Sequence, residues 1–296
     1  MELIFLGTSC MQPTKQRNHP GVLLLYKGEG ILFDCGEGTQ RQLRCAGIKP
    51  SVITKILITH WHGDHVLGLP GLMQTLGASG YSGKLQIYGP KGTAKNVETL
   101  RRLFAGKDTI DYVAQDVASG EIVKADEYSI SAEALKHTIP CVGFAFSEHE
   151  KRKIVMARVK QLKIPQGPLL GKLQRGEKIT HLGKVIRPDD VSSISPGRKI
   201  AYATDTRPCS GVVKLGKHAD ILILESTYSS ELAEKAREHS HMTAKEAAQL
   251  ANEAQAKKLY LVHFSPRYKN AQVLEEDARD IFDNTQAAED FLRVKL

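Results

Sequence analysis

Apolar positions in the first sixty residues fall into short runs: LIFLG (3–7), VLLLY (22–26), GILFD (30–34) and KILIT (55–59). Turn-forming stretches such as KGEG and CGEG separate them. Runs of this length, bounded in this way, predict buried strands. After Asp64 the spacing changes, and HVLGLPGLMQTL repeats at three and four residues, predicting a helix. LQIYG (85–89) predicts a further strand and TAKNVETLRRLF (93–104) a helix, with shorter strands up to Lys136 and His137. The back half alternates in the same way. KIAYATD (199–205), ADILILEST (219–227) and KLYLVHFS (258–265) read as strands, and MTAKEAAQLANEAQ (242–255) as an amphipathic helix. Strands and helices mixed on this scale imply a layered α/β architecture. Residues 151–195 differ. A short helix in IVMARVKQLK (154–163) is followed by the Gly- and Pro-rich IPQGPLLGKLQRGEK (164–178), with few core signals. This segment reads as an insertion projecting from a single main domain spanning 1–296.

Composition narrows the class. A chain of 296 residues that is 41% hydrophobic can bury a sizeable core. The opening MELIFLGTSC has too short an apolar run for a secretory leader, and no later run approaches a membrane span. No membrane partner is expected. Five scattered cysteines without a CxxC pair fit a reducing cytoplasm better than a disulfide framework. The net charge is +8 and is unevenly placed. Residues 151–187 hold eleven Lys or Arg against one acid, a local +10 that leaves −2 for the rest. Such a footprint suits a polyanionic partner. A solubilising surface excursion is the plainer reading of the same charges.

The chemistry concentrates in HWHGDH, residues 60–65. His60 follows the strand KILIT, Asp205 follows KIAYAT and His263 follows KLYLV, which places all three on one edge of the sheet layers. Histidines two apart on an extended loop project the same way, so His60 and His62 can grip one ion. Asp64 and His65 lie at the turn into a helix and face elsewhere. The loop then either surrounds one ion tetrahedrally or supplies half of each of two sites. Imidazole and carboxylate donors suit zinc, and manganese, iron and cobalt are compatible with them. His137, Asp205 and His263 are further ligand candidates, and a carboxylate such as Asp205 can bridge two cations about 3.5–4 Å apart. A lone histidine is more often a satisfied residue than a ligand, the reading given to His19, His149, His181, His218 and His239. The density of the hexapeptide is what carries the metal reading.

H-x-H-x-D-H after a strand, supported by LFDCGEG (32–38), resembles the metallo-β-lactamase superfamily. The resemblance implies a four-layer αββα sandwich of two similar halves with the metals at one edge. It implies two zinc ions per subunit: His60, His62 and His137 on one, Asp64, His65 and His263 on the other, with Asp205 bridging. Asp34 would orient the ligand loop. Fold alone does not choose among the lactamases, thioesterases, sulfatases, phosphodiesterases and nucleases built this way.

Other segments do choose. PTKQRN (13–18), ESTY (225–228) and HFSPRY (263–268) resemble the P-x-K-x-R-N, H-E-A-T and H-x-S-x-R-Y motifs of the ribonuclease Z family of tRNA 3′-processing endonucleases. IPQGPLLGKLQRGE (164–177) resembles that family's Gly-Pro arm, and His241 precedes the helix where the family carries a catalytic histidine. Leu224, Ser226 and Met242 depart from the usual motif residues. The resemblance implies cleavage after the discriminator nucleotide of precursor tRNA, leaving a tRNA 3′-hydroxyl and a trailer 5′-phosphate. Asp64 would help orient the attacking water, and His241, held by Glu225, would protonate the leaving oxygen. Lys15, Arg17 and Arg267 would contact phosphates, and the arm at about 151–192 would grip tRNA in a cytoplasmic homodimer. Two other readings stay open: a small-molecule phosphodiesterase or arylsulfatase-type hydrolase on the same fold, and a non-catalytic RNA-binding module. The module would require loss of ligands, yet every expected ligand is present.

Overall fold

A computed structural model of the chain describes residues 1–103 and 110–296. The strands β1 (Glu2–Gly7), β2 (Gly21–Tyr26) and β3 (Glu29–Phe33) form an antiparallel meander. Helix α1 (Thr39–Cys45) leads to β4 (Ile53–Leu57), which pairs parallel to β3. The helix expected after Asp64 comes in two pieces, α2 (Gly63–Val66) and α3 (Leu69–Ala78). Pro70 sits in the first turn of α3; it lacks an N–H to extend the preceding turn but suits a helix start. β5 (Lys84–Gly89), α4 (Thr93–Leu103) and β6 (Asp111–Asp116) follow, and β5 and β6 extend the sheet in parallel. Phe104, the last residue of the predicted α4 stretch, lies outside the described residues. β7 (Gly120–Lys124), β8 (Tyr128–Ala134) and β9 (Val142–Glu148) begin a second sheet.

The chain divides into two compact units, one of residues 1–124, 130–146 and 199–296, the other of 125–129 and 147–198. The smaller unit contains β10 (Lys151–Ile154), α5 (Met156–Gln161), α6 (Pro168–Gln174), β11 (Ile179–His181), β12 (Lys184–Ile186), α7 (Pro188–Val191) and β13 (Ser192–Ser195). β10 pairs with β13 and β11 with β12, both antiparallel. Val159, Ile164, Leu173, Ile179, Ile186 and Val191 form a core of its own. Single apolar residues from six separate short segments build that core, so no long periodic stretch announces it in the sequence.

In the larger unit the chain resumes with β14 (Lys199–Ala203), α8 (Ser210–Gly216), β15 (Ile221–Glu225), α9 (Ala233–Glu238) and α10 (Ala244–Glu253). Thr243 and Glu246 start α10 with a reciprocal capping box. β16 (Leu259–Val262), α11 (Gln272–Arg279), β17 (Thr285–Ala287) and β18 (Arg293–Lys295) complete it. The two seven-stranded sheets run β18-β1-β2-β3-β4-β5-β6 and β17-β16-β15-β14-β9-β8-β7. Strand alternation sends neighbouring residues to opposite faces. On the outer face of the first sheet, Ile4, Leu6, Leu32 and Ile56 pack with Leu43 of α1, Leu72 and Leu76 of α3 and Val97 of α4. On that of the second, Ala201, Leu222, Leu224 and Leu261 pack with Leu215 of α8, Ala247 and Ala251 of α10 and Leu274 of α11. The inner faces meet through Phe5–Tyr260, Tyr26–Phe146 and Phe33–Tyr202, with ring centroids 5.3, 5.1 and 5.3 Å apart. The layer order is therefore αββα.

Candidate metal centre

Three strands of the sandwich end in the same unusual backbone. Asp34 after β3, Asp205 after β14 and His263 after β16 have φ of 55°, 54° and 62°. Side-chain-bearing residues pay about 1–2 kcal/mol for this left-handed region and hold it where surrounding structure fixes them. Close backbone packing supplies part of that restraint. A Cβ on Gly68 would lie 2.0 Å from the Gly36 carbonyl oxygen, and one on Gly36 would lie 2.4 Å from that of Asp64. Cys35 N–H donates to the His65 carbonyl at 2.8 Å and Gly68 N–H to that of Cys35 at 3.0 Å. LFDCGEG is thereby laced to HWHGDH.

The ligand-type side chains converge as two groups. His60 Nε2 lies 3.0 Å from His62 Nδ1, and His137 Nε2 lies 3.3 Å from the same nitrogen. Asp205 Oδ2 is 3.5 Å from His60 Nε2 and 3.9 Å from His137 Nε2. The other carboxylate oxygen turns to the second group: Asp205 Oδ1 is 3.3 Å from His65 Nε2 and 3.1 Å from His263 Nε2. Asp64 Oδ2 completes that group at 3.4 and 3.6 Å from the same two nitrogens. Asp205 thus faces both groups with one oxygen each.

The donor set fits divalent cations. Among the described residues, His65 Nε2 and His263 Nε2 are buried side-chain nitrogens with no hydrogen-bond partner, and both point at carboxylate oxygens. A buried polar atom without a partner costs about 1–3 kcal/mol, which a cation would remove. Burial pushes the pKa of His60, His62 and His137 below the usual histidine range, leaving neutral imidazoles as ligands require. Burial acts against a charged His65 as well, but Asp205 and Asp34 outweigh it and raise His65 well above that range. That is the mark of a strongly negative spot. Asp34 holds the loop from behind. It accepts from Thr59 N–H at 2.8 Å, lies 2.9 Å from His65 Nδ1 and accepts from the Tyr202 hydroxyl at 3.0 Å. His137 Nδ1–H donates to the Ser240 carbonyl at 3.1 Å.

His241 stands beside the second group, within 4.8 Å of the ligand atoms of Asp205 and His263. Its Nδ1 is 3.0 and 3.1 Å from the two Glu225 oxygens. Burial would lower His241, but Glu225 more than offsets it and lifts the pKa to about 9. His239 instead stacks on Tyr228 at 6.4 Å.

Comparison with known proteins decides the family. Residues 30–264 match the Beta-lactamase superfamily domain. A ribonuclease Z of Methanothermobacter thermautotrophicus is 40% identical over 299 residues, covering 100% of this chain and 97% of that protein. One of Archaeoglobus fulgidus is 41% identical over 303 residues, with 100% and 97% covered. The chain belongs to the ribonuclease Z family. The crystal structure of the short form of human tRNase Z superposes with a TM-score of 0.72 at 30% identity, covering 100% of this chain and 99% of that one. The αββα sandwich is therefore the metallo-β-lactamase fold, and this ribonuclease Z chain is a metal-dependent hydrolase. Among the described residues, no helix is long and apolar enough to cross a membrane.

The three residues expected to contact phosphate differ in their surroundings. Arg17 of PTKQRN is largely buried, donates from Nη1 to the Tyr268 carbonyl at 2.9 Å and lies 4.9 Å over the Phe264 ring. It ties PTKQRN to HFSPRY, and burial lowers its pKa. Lys15 is exposed. Arg267 is exposed too, with Nε donating to Ser265 Oγ at 3.0 Å and its guanidinium 5.2 Å over the Tyr228 ring. Several residues of the site escaped the sequence reading. Arg207 donates from Nε and Nη2 to Ser240 Oγ, at 3.1 and 2.9 Å, fixing the residue whose carbonyl holds His137. Tyr202, Thr59 and Thr227 also escaped it, because a hydroxyl carries no local signature of the carboxylate it will meet.

Proposed function

We propose that this chain removes the 3′ trailer from precursor tRNA, cutting after the discriminator nucleotide to leave a tRNA 3′-hydroxyl and a trailer 5′-phosphate. The observation that carries the proposal is the pair of donor groups sharing Asp205, with His241 and Glu225 alongside, in a chain matched along its whole length by ribonuclease Z proteins. His60, His62 and His137 would hold one zinc and Asp64, His65 and His263 the other, with Asp205 between them; manganese, iron or cobalt fits the same donors. Two such cations would polarise the scissile phosphoryl group and acidify a water at neutral pH. Asp64 accepts a hydrogen bond from that water and aims it. His241, kept protonated by Glu225, gives its Nε2 proton to the departing 3′ oxygen.

The smaller unit is the tRNA-binding arm in this reading. Lys160, Lys163, Lys172, Lys178 and Lys184 are all exposed on it. A folded RNA is gripped through its backbone and shape, which exposed cations serve. Lys15, Arg17 and Arg267 would be the phosphate contacts near the cut. A homodimer in which one subunit's arm holds the tRNA cut by the other follows from the family resemblance. The five free cysteines support a cytoplasmic setting.

Labelled precursor tRNA and end-group analysis test the function. Wild type is expected to release 3′-hydroxyl tRNA, and Asp64→Ala to lose that activity. A wild type that leaves several precursors intact while hydrolysing small phosphodiesters would overturn the tRNA assignment in favour of a small-molecule phosphodiesterase.

A further inference from the structure

Two buried threonines each sit two residues past the end of a strand, one in each large sheet. Thr59, after β4, donates its hydroxyl hydrogen to Asp34, with Oδ1 at 3.0 Å and Oδ2 at 2.9 Å, and its oxygen lies 3.1 Å from His60 Nδ1. Thr227, after β15, donates to Glu225 Oε2 at 2.7 Å, and its oxygen lies 3.0 Å from His263 Nδ1. Both are buried, at 0% and 1% exposure, so water cannot substitute for either partner.

Counting hydrogens fixes the direction of each bond. An ionised carboxylate only accepts, and a hydroxyl has one hydrogen to give. Asp34 already accepts from the Thr59 N–H and the Tyr202 hydroxyl. Glu225 likewise accepts from Thr206 N–H at 2.7 Å and Met242 N–H at 3.2 Å. Each threonine therefore spends its hydrogen on the carboxylate, and its oxygen can only accept from the imidazole Nδ1–H. The histidine is left with a bare Nε2 facing the donor cluster.

We infer that Thr59 and Thr227 are positioning residues, hydroxyl relays through which Asp34 and Glu225 fix the tautomers of His60 and His263. The inference rests on the metal-centre reading, since a bare Nε2 matters only to a cation. The two relays serve opposite groups: His60 belongs to the first and His263 to the second. Asp34 reaches His65 directly as well, so one carboxylate orients a ligand in each group. Glu225 reaches His263 through Thr227 and the neighbouring His241 directly.

Thr59→Val and Thr227→Val remove the hydroxyl at nearly constant volume, while Thr59→Ser and Thr227→Ser keep it. Zinc affinity is measured by competition with a chromophoric chelator. In metal-stripped protein, imidazole ¹⁵N shifts report the tautomers. The valine variants should bind zinc about 10–100-fold more weakly, the usual cost of losing a partner behind a ligand, and show Nε2–H signals. The serine variants should match wild type in both measurements. Valine variants with wild-type affinity and Nδ1–H tautomers would overturn the inference. So would serine variants as weak as the valine ones, because the hydroxyl would then not be the operative group. A wild type that binds no divalent cation would remove the metal-centre reading instead, and the tautomer signals would still decide the relay.

Discussion

The Tyr202 hydroxyl, on the second sheet, donates to Asp34 Oδ2 on the first at 3.0 Å, with both residues fully buried. The carboxylate that orients the HWHGDH loop is therefore held from across the sandwich. Tyr202→Phe should keep the fold, because its ring still packs on Phe33. It removes a bond to a charged acceptor, worth about 1.5–3 kcal/mol. Chemical denaturation should show a loss of that order, with bound metal retained through Thr59 and His65. Asp34→Ala, which frees both, should lose metal outright, as elemental analysis would show.

In the proposed reaction His241 is the proton donor to the leaving oxygen. His241→Ala should lower the rate of precursor tRNA cleavage by about 10²–10⁴-fold, the range for a lost general acid. Hydrolysis of bis(p-nitrophenyl) phosphate should suffer far less, because p-nitrophenolate leaves without a proton. Comparable losses on both substrates would remove His241 from the acid role.

The smaller unit invites excision. Glu148 N–H donates to the Arg198 carbonyl at 2.9 Å, so the two ends of the unit's 147–198 segment lie side by side. Replacing 149–197 by a short Gly/Ser linker should preserve hydrolysis of bis(p-nitrophenyl) phosphate and abolish precursor tRNA cleavage. In the intact enzyme, binding of precursor tRNA should weaken steeply with salt. Equal loss of both activities on excision would contradict the division of labour between arm and site.

Asp290 gives a pH-dependent contribution to stability. It accepts from Thr8 Oγ1 at 2.9 Å, Asn18 N–H at 2.8 Å and Gln42 Nε2 at 3.1 Å, holding the PTKQRN loop. Burial outweighs these bonds and raises its pKa to about 6. A carboxyl raised on folding adds stability below its unfolded value, about 3.9, and loses it as pH climbs through about 6. The melting temperature should carry a downward component between those values. Asp290→Asn, which cannot titrate, should flatten it in a series of thermal melts.

Local pattern was enough for much of this protein. Five-residue apolar runs announce β1 to β4 because a strand buried on both faces needs apolar residues at successive positions. HWHGDH announces a metal because ligands clustered within six residues have few other uses. The departures from motif also fit local logic: Leu224 turns to the α10 side of its strand, and Met242 is buried while its N–H serves Glu225.

Arg17 shows where that reading stops. Its motif suggested a phosphate, but its partners Phe264 and Tyr268 lie about 250 positions away. Thr59 and Thr227 take their meaning from Asp34 and His263, 25 and 36 positions distant. The choice between His239 and His241 depends on which ring reaches Glu225. Residue types and their spacing thus determined the strands, the density of ligand-type side chains at HWHGDH and the excess charge of the arm. Only the folded sandwich decided which hydrogen-bond partners each histidine meets and what surrounds each arginine, because burial and hydrogen-bond direction are set by neighbours that the chain brings together from its far ends.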